Sequence, residues 1–354
     1  MKIIDMHCDT ISSLFEKRCE GQEACLRNNN GHLDLMRMRG SGYLLQNFAL
    51  FVNAGKCQDS WELVCRLHEI YQKELELNSD IIAPVLRYED IAENEAAGKM
   101  SSLLTVEEGA VCNGDVDKLH ALHRMGVRML TLTWNYPNEL GYPNLDHVKS
   151  TKVWAACREV RKTMQEGIAE VQDIFENFFY TPNTTGGLTE RGRQFVTEME
   201  QLKMIPDVSH LSDAGFYDVL EITKKPFVAS HSNARSVCRC VRNLSDDMIC
   251  KLAERGGCMG LNFCADFLKE VVVGERNPGA LEDVVRHVRH ITKVGGLEVL
   301  GLGSDFDGID TNNDLPGAQS MGLLWEALQK AGYCESELEK IFYKNVLRVY
   351  KDTL

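Results

Sequence analysis

The chain has 354 residues, 44% of them hydrophobic and 26% charged, with a formal net charge of −13 at pH 7. That composition supplies one large buried core, and without clustered Lys and Arg it argues against a nucleic-acid partner. No apolar run reaches spanning length, no signal-peptide pattern opens the chain, and the thirteen scattered cysteines lack a Cys-x-x-Cys pair; the expectation is a cytoplasmic protein with reduced thiols and no membrane anchor.

In chain order, short apolar runs rich in β-formers alternate with stretches of helical periodicity. The expected strands are Ile3–Met6, Tyr43–Val52, Ser101–Glu107, Arg128–Thr133, Ile205–Ser209, Phe227–Ser230, Cys258–Phe263 and Val299–Gly303. Helices are expected at Ser60–Glu76, Val116–Met125, Glu190–Lys203, Asp213–Lys224, Ser245–Arg255, Pro278–Val294, Met321–Ala331 and Glu335–Tyr350. Ser245-Asp-Asp is a helix start with a cause, because a serine hydroxyl caps exposed amides and aspartates favour the positive end of the dipole. Eight strands alternating with helices predict an α/β fold, a (β/α)8 TIM barrel formed by one domain over 1–354. The connection after the fourth strand departs from this alternation. Val153, Cys157, Val160, Met164, Ile168, Val171, Phe175 and Phe178 fall at steps of three and four, which predicts a long helical insertion over 147–181, either barrel-flank packing or a lid wall or oligomer contact.

Chemistry in such a barrel lies at the carboxyl ends of the strands, and ionisable residues follow the apolar runs there repeatedly. His7 and Asp9 close the first run at i and i+2, the spacing that leaves a strand end on one face. Glu107 and Glu108, then His210, then His231, then Asp305 and Asp307 close later ones. Imidazole and carboxylate together make a metal site, and a carboxylate bridges two ions well. Asp307 is expected to hold its loop by bonding backbone amides. The other seven histidines stay outside this set: His120 and His123, like His287 and His290, are i,i+3 pairs read as solvated helix faces, and His32, His68 and His147 show no partner.

Seven ordered motifs, Asp5-Met-His-Cys-Asp9, Thr105-Val-Glu-Glu-Gly109, Arg128-Met-Leu-Thr-Leu-Thr133, Asp207-Val-Ser-His210, Ser230-His-Ser232, Arg242-Asn243 and Gly303-Ser-Asp-Phe-Asp-Gly308, resemble the membrane (renal) dipeptidase family of zinc peptidases among the amidohydrolase-like barrels. The resemblance implies a dipeptidase with two Zn2+ ions per chain, one on His7 and Asp9 and one on His210 and His231, bridged by Glu107 and a water or hydroxide that attacks the peptide bond. It implies Asp305 as the proton-handling acid, Arg242 as the clamp on the substrate carboxylate, and a homodimer. Where the family commonly has a histidine, this chain has Trp134 and Asn135, expected to offer a neutral donor to substrate; Glu108 replaces the first glycine of a family pair. A related hydrolase of N-acyl amino acids or cyclic amides is the alternative, and a non-catalytic metal-binding barrel a further one.

Overall fold

Short β-branched and leucine-rich runs set the sheet. The computed structural model describes residues 1–147, 176–271, 277–310 and 312–354, so the body of the expected insertion, residues 148–175, lies outside the described residues. The strands are β1 (Ile3–Asp5), β2 (Tyr43–Phe51), β3 (Ile82–Pro84), β4 (Met100–Glu107), β5 (Val127–Thr131), β6 (Ile205–Asp207), β7 (Val228–Ala229), β8 (Cys258–Leu261) and β9 (Leu300–Leu302). They pair in parallel in the order β2-β1-β9-β8-β7-β6-β5-β4, and β2 returns to β4 to close an eight-strand α/β barrel.

All eight expected strands are present; β4 ends at Glu107 as expected, and the other seven end one or two residues earlier than expected, so that Thr133, Ser209, Ser230 and Gly303 lie outside the strands. β3 is additional: it pairs Ile82 with Met100 through Pro84 with Ser102, at the foot of the edge that β5 takes over from Leu104. Pro84 interrupts the apolar run there and only Ile82 of the three is fully buried, which weakens the strand signal.

The barrel interior takes Ile4, Leu45, Leu103, Met129, Ile205, Val228 and Cys258 from seven strands. Its amino end is closed by Val346, Val349 and Tyr350 of the last helix, packed on the same cluster. Tyr350 is fully buried and its hydroxyl donates to Asn47 Oδ1 at 2.8 Å, so the large ring is buried without stranding its polar tip. This stopper leaves the carboxyl end for the site.

Each expected helix outside the insertion is present, as at Ser60–Leu77, Val116–Arg124, Glu190–Gln201, Asp213–Ile222, Leu281–Gly295 and Met321–Lys330. Ser245 caps Asp246–Glu254, accepting the Met248 N–H. The last expected helix is Glu335–Glu339 and Asn345–Thr353 joined by a π-type turn at Lys340–Lys344. Helices at Thr10–Cys19, Leu35–Ser41 and Tyr88–Ala96 were not expected. The first buries Thr10 and Ser12 beside Ile11 and Leu14, so its inward face is half polar and has no clean apolar stripe.

His287 corrects the reading of a solvated pair. It is fully buried, accepting the Ala234 N–H at Nδ1 (3.1 Å) with Nε2 against Leu268 O (3.0 Å). His68 also has a partner, Met125 O at 2.9 Å. No helix among the described residues is long and apolar enough to cross a membrane.

Candidate metal centre

At the end of β1 the chain turns through His7 and Asp9 directly into the helix Thr10–Cys19. Asp9 N–H donates to Phe306 O at 2.9 Å, which fixes the carboxylate beside the loop after β9. Both side chains are buried, with Asp9 Oδ2 3.6 Å from His7 Nε2. Asp9 Oδ1 and His7 Nε2 have no hydrogen-bond partner.

Glu107, the last residue of β4, stands between this pair and two further histidines. Its Oε2 lies 3.3 Å from His7 Nε2, while its Oε1 lies 2.9 Å from His210 Nε2 and 3.4 Å from His231 Nε2. One carboxylate oxygen thus faces each side, the arrangement a bridging ligand needs. His210 follows β6 with a left-handed backbone (φ 69°), and the rings of His231 and His7 stack with centroids 3.8 Å apart. His7, Glu107 and His231 form one group of converging ligand atoms; His7, Asp9 and Asp305 form another.

The outer contacts settle which nitrogens face inward. His210 Nδ1 is 2.8 Å from Asn135 Oδ1, an acceptor, so it carries the proton. The Ser230 hydroxyl gives its proton to Asp207 Oδ2 (2.6 Å) and accepts from His231 Nδ1 (2.7 Å). Both Nε2 atoms therefore point lone pairs into the centre, 3.0 Å apart. Two bare lone pairs at that separation repel unless a cation lies between them. Burial, with the nearby Arg242 charge, pushes His210 down to about 3; burial, with the facing His7, pushes His231 well below its ordinary range, so both rings are neutral. Burial opposes the charge on Glu107, yet the facing His7 charge outweighs it and holds the carboxyl well below its ordinary range. Asp9 is pushed up to about 7 by burial and by the Glu107 charge. The donor set of three imidazoles and buried carboxylates, with orphaned atoms aimed inward, fits divalent cations that prefer nitrogen and oxygen ligands.

Asp305 has φ 63° and its Oδ1 is 3.8 Å from His7 Nε2; its Oδ2 accepts from Asn262 Nδ2 at 2.9 Å. Burial raises its pKa. Glycine lets it come so close: a Cβ on Gly303 would meet Ser230 O at 1.8 Å, and one on Gly308 would meet Asp9 Oδ2 at 2.0 Å and Asp305 Oδ1 at 2.6 Å. Asp307 holds the loop, as expected, accepting the His32 N–H (2.7 Å) and the Thr10 hydroxyl (2.6 Å). A cavity of about 470 Å³ opens above the centre, bounded by Asp9, Glu107, His210 and Asp305 at its floor and by Phe51, Trp134 and Phe267 on its walls.

The residues assigned to substrate are placed differently from one another. Trp134 lines the cavity, its ring 4.9 Å from Phe51. Asn135 also borders it, but its carbonyl oxygen is committed to His210. Arg242 is buried one layer behind the wall, 5.5 Å from the Phe267 ring centroid, with Nη2 near His231 O (3.4 Å) and Nε unpartnered. Glu108 turns away from the centre, accepting from Ala110 N (2.9 Å) and Asn138 Nδ2 (2.7 Å), and burial pushes it up to about 7. Two histidines left out of the site border it after all. His32 Nδ1 accepts the Asp307 N–H at 3.0 Å, and the His147 ring lies edge-on to Trp134 at 4.9 Å. His32 meets a residue 275 positions away, beyond any local spacing.

Comparison with known proteins adds three findings. The profile of a family described as membrane dipeptidase (peptidase family M19) matches residues 1–155 and 163–353. An uncharacterized dipeptidase of Schizosaccharomyces pombe is 27% identical over 99% of this chain and 80% of its own length. Two solved structures superpose with a TM-score of 0.84. A metallo peptidase named dipeptidase AC is 26% identical, covering 100% of this chain and 98% of its own. A metallo peptidase from Rhodobacter sphaeroides, bound to a phosphinate mimic of the dipeptide L-Ala-D-Ala, is 25% identical over 100% of this chain and 99% of its own.

Proposed function

Because the chain belongs to the membrane dipeptidase family, metallopeptidase family M19, we propose that this dipeptidase works with two zinc ions. One sits on His7 and Asp9, one on His210 and His231, with Glu107 between them. The observation that carries the reading is Glu107 itself, with one oxygen toward His7 and the other toward His210 and His231. Zinc held by these residues would supply a water activated near neutral pH and a Lewis acid for the scissile carbonyl.

The chain's own groups do the rest. Asp305, on the cavity floor and held by Asn262 through only one oxygen, takes a proton from the attacking water and returns it to the departing amine. Arg242, buried behind the cavity wall with Nη2 donating to His231 O (3.4 Å) and Nε unpartnered, turns its guanidinium toward the cavity to receive the C-terminal carboxylate of the substrate. That places one residue beyond the cleaved bond, as a dipeptide has. Trp134 and Phe51 shape one wall and exclude water from it. The relative bound to a dipeptide mimic supports the same substrate class.

The proposal extends to a homodimer in the cytoplasm. Free thiols at every described cysteine support a reducing compartment, and light scattering checks the mass. The metal reading is tested by elemental analysis of the purified protein. Two zinc ions per chain, falling below one in Glu107→Ala, is the expected result; one ion, unaffected by that change, would contradict it.

A further inference from the structure

Two buried aspartates outside the ligand set carry the same construction. Asp5 on β1 accepts the Ser304 N–H at Oδ1 (2.9 Å) and the Ser304 hydroxyl at Oδ2 (2.6 Å). Asp207 on β6 accepts the Ser230 N–H at Oδ1 (2.9 Å) and the Ser230 hydroxyl at Oδ2 (2.6 Å). Each aspartate ties its strand to the next one in the barrel, β1 to β9 and β6 to β7. Each serine stands immediately before a residue of the centre, Asp305 or His231. Both carboxylates are fully buried.

The two clamps differ at one atom. Ser304 Oγ otherwise meets only backbone, the Phe306 N–H at 3.2 Å and His7 O at 3.3 Å. Ser230 Oγ meets the His231 ring at 2.7 Å. Its single proton goes to Asp207, so the oxygen must accept from His231 Nδ1. The clamp therefore continues as a chain from carboxylate through hydroxyl to imidazole. Asp207 is well anchored for this, with further bonds from the Thr131 hydroxyl (2.7 Å) and the Ser209 N–H (3.0 Å). A carboxylate acting on the far nitrogen fixes the ring and strengthens its donor nitrogen. The partner of His210 is a neutral amide, Asn135.

We propose that Asp207 and Ser230 are positioning residues that set the strength of the ion site at His231, whereas Asp5 and Ser304, built alike, meet His7 only through its backbone N–H and carbonyl, each at 3.3 Å. The inference rests on His231 being a metal ligand. Its test uses the full chain stripped of metal and titrated with Co2+ alone, followed by visible absorption. The expected result is two bound ions, one of which Ser230→Ala weakens about 10- to 100-fold while the other changes less than about threefold. Asp207→Asn weakens the same ion about tenfold, Ser230→Thr recovers most of the affinity, and Ser304→Ala shifts it by less than about threefold. Asp207→Asn and Ser230→Thr carry the test if Ser230→Ala does not fold. Equal weakening by Ser230→Ala and Ser304→Ala, or none by either Ser230→Ala or Asp207→Asn, would overturn the proposal while leaving the metal site standing. No Co2+ bound by the unaltered chain would overturn both.

Discussion

Asp305 and Glu107 are buried carboxylates within one cluster, yet their surroundings give them different work. Glu107 is surrounded by imidazole nitrogens on both oxygens, so Glu107→Gln, which keeps the shape and removes the charge, should lower metal affinity at both positions by more than about 100-fold. Asp305 faces the cavity and is held by one amide. Asp305→Asn should retain two metals and lose about 10²- to 10⁴-fold in kcat; parallel metal analysis and kinetics separate the two roles, and loss of metal in that variant would make Asp305 a ligand instead. The side chains that meet in the cluster were legible in the sequence because each follows an apolar run, and strand ends are where a barrel puts its chemistry. The partners that orient them were not legible. Asn135 reaches a histidine 75 residues away and His32 an aspartate 275 residues away, and no local spacing encodes such contacts. Asn135 shows the limit most clearly: its position beside the cavity was foreseen, but its bond to His210 was not.

At the scale of elements, period decided what could be read. β2 and β4 and the helix Ser60–Leu77 are long enough to display their burial pattern, whereas β3 is interrupted by Pro84 and Thr10–Cys19 turns a mixed face inward. The i,i+3 histidines on Leu281–Gly295 fitted a solvated face only as long as the short helix Ala265–Leu268 above them was unknown; its Leu268 carbonyl meets His287. Burial lowers the pKa of His287 to about 4. With a folded value below the ordinary 6.5, the unfolded chain takes up a proton that the folded chain refuses. Stability is therefore full above about pH 6.5 and falls as pH drops toward 4, by about 2 kcal/mol at pH 5 from this group. Urea unfolding at pH 7.5 and pH 5 should show a smaller acid loss in His287→Gln than in the unaltered chain, by about that amount. An equal loss in both would mean that the ring is protonated in the fold.

For the whole molecule, the barrel explains how ligands from β1, β4, β6 and β7 meet, although they lie up to 224 positions apart between His7 and His231. Closing eight strands brings their carboxyl ends onto one rim, and the last helix fills the other end with Val346, Val349 and Tyr350. Ions held among these four strand ends would cross-link the rim, so metal should stabilise the fold. At free metal 100-fold above Kd the gain is about 2.7 kcal/mol per site, and a thermal melt with and without chelator should differ by at least about 5 °C. The most direct test of the functional reading is hydrolysis itself. The stripped protein, before and after zinc is restored, is offered dipeptides, tripeptides and N-acetylated amino acids. Cleavage that returns with zinc and is confined to dipeptides is the predicted result. Zinc-restored cleavage of the acetylated amino acids, with dipeptides untouched, would contradict it.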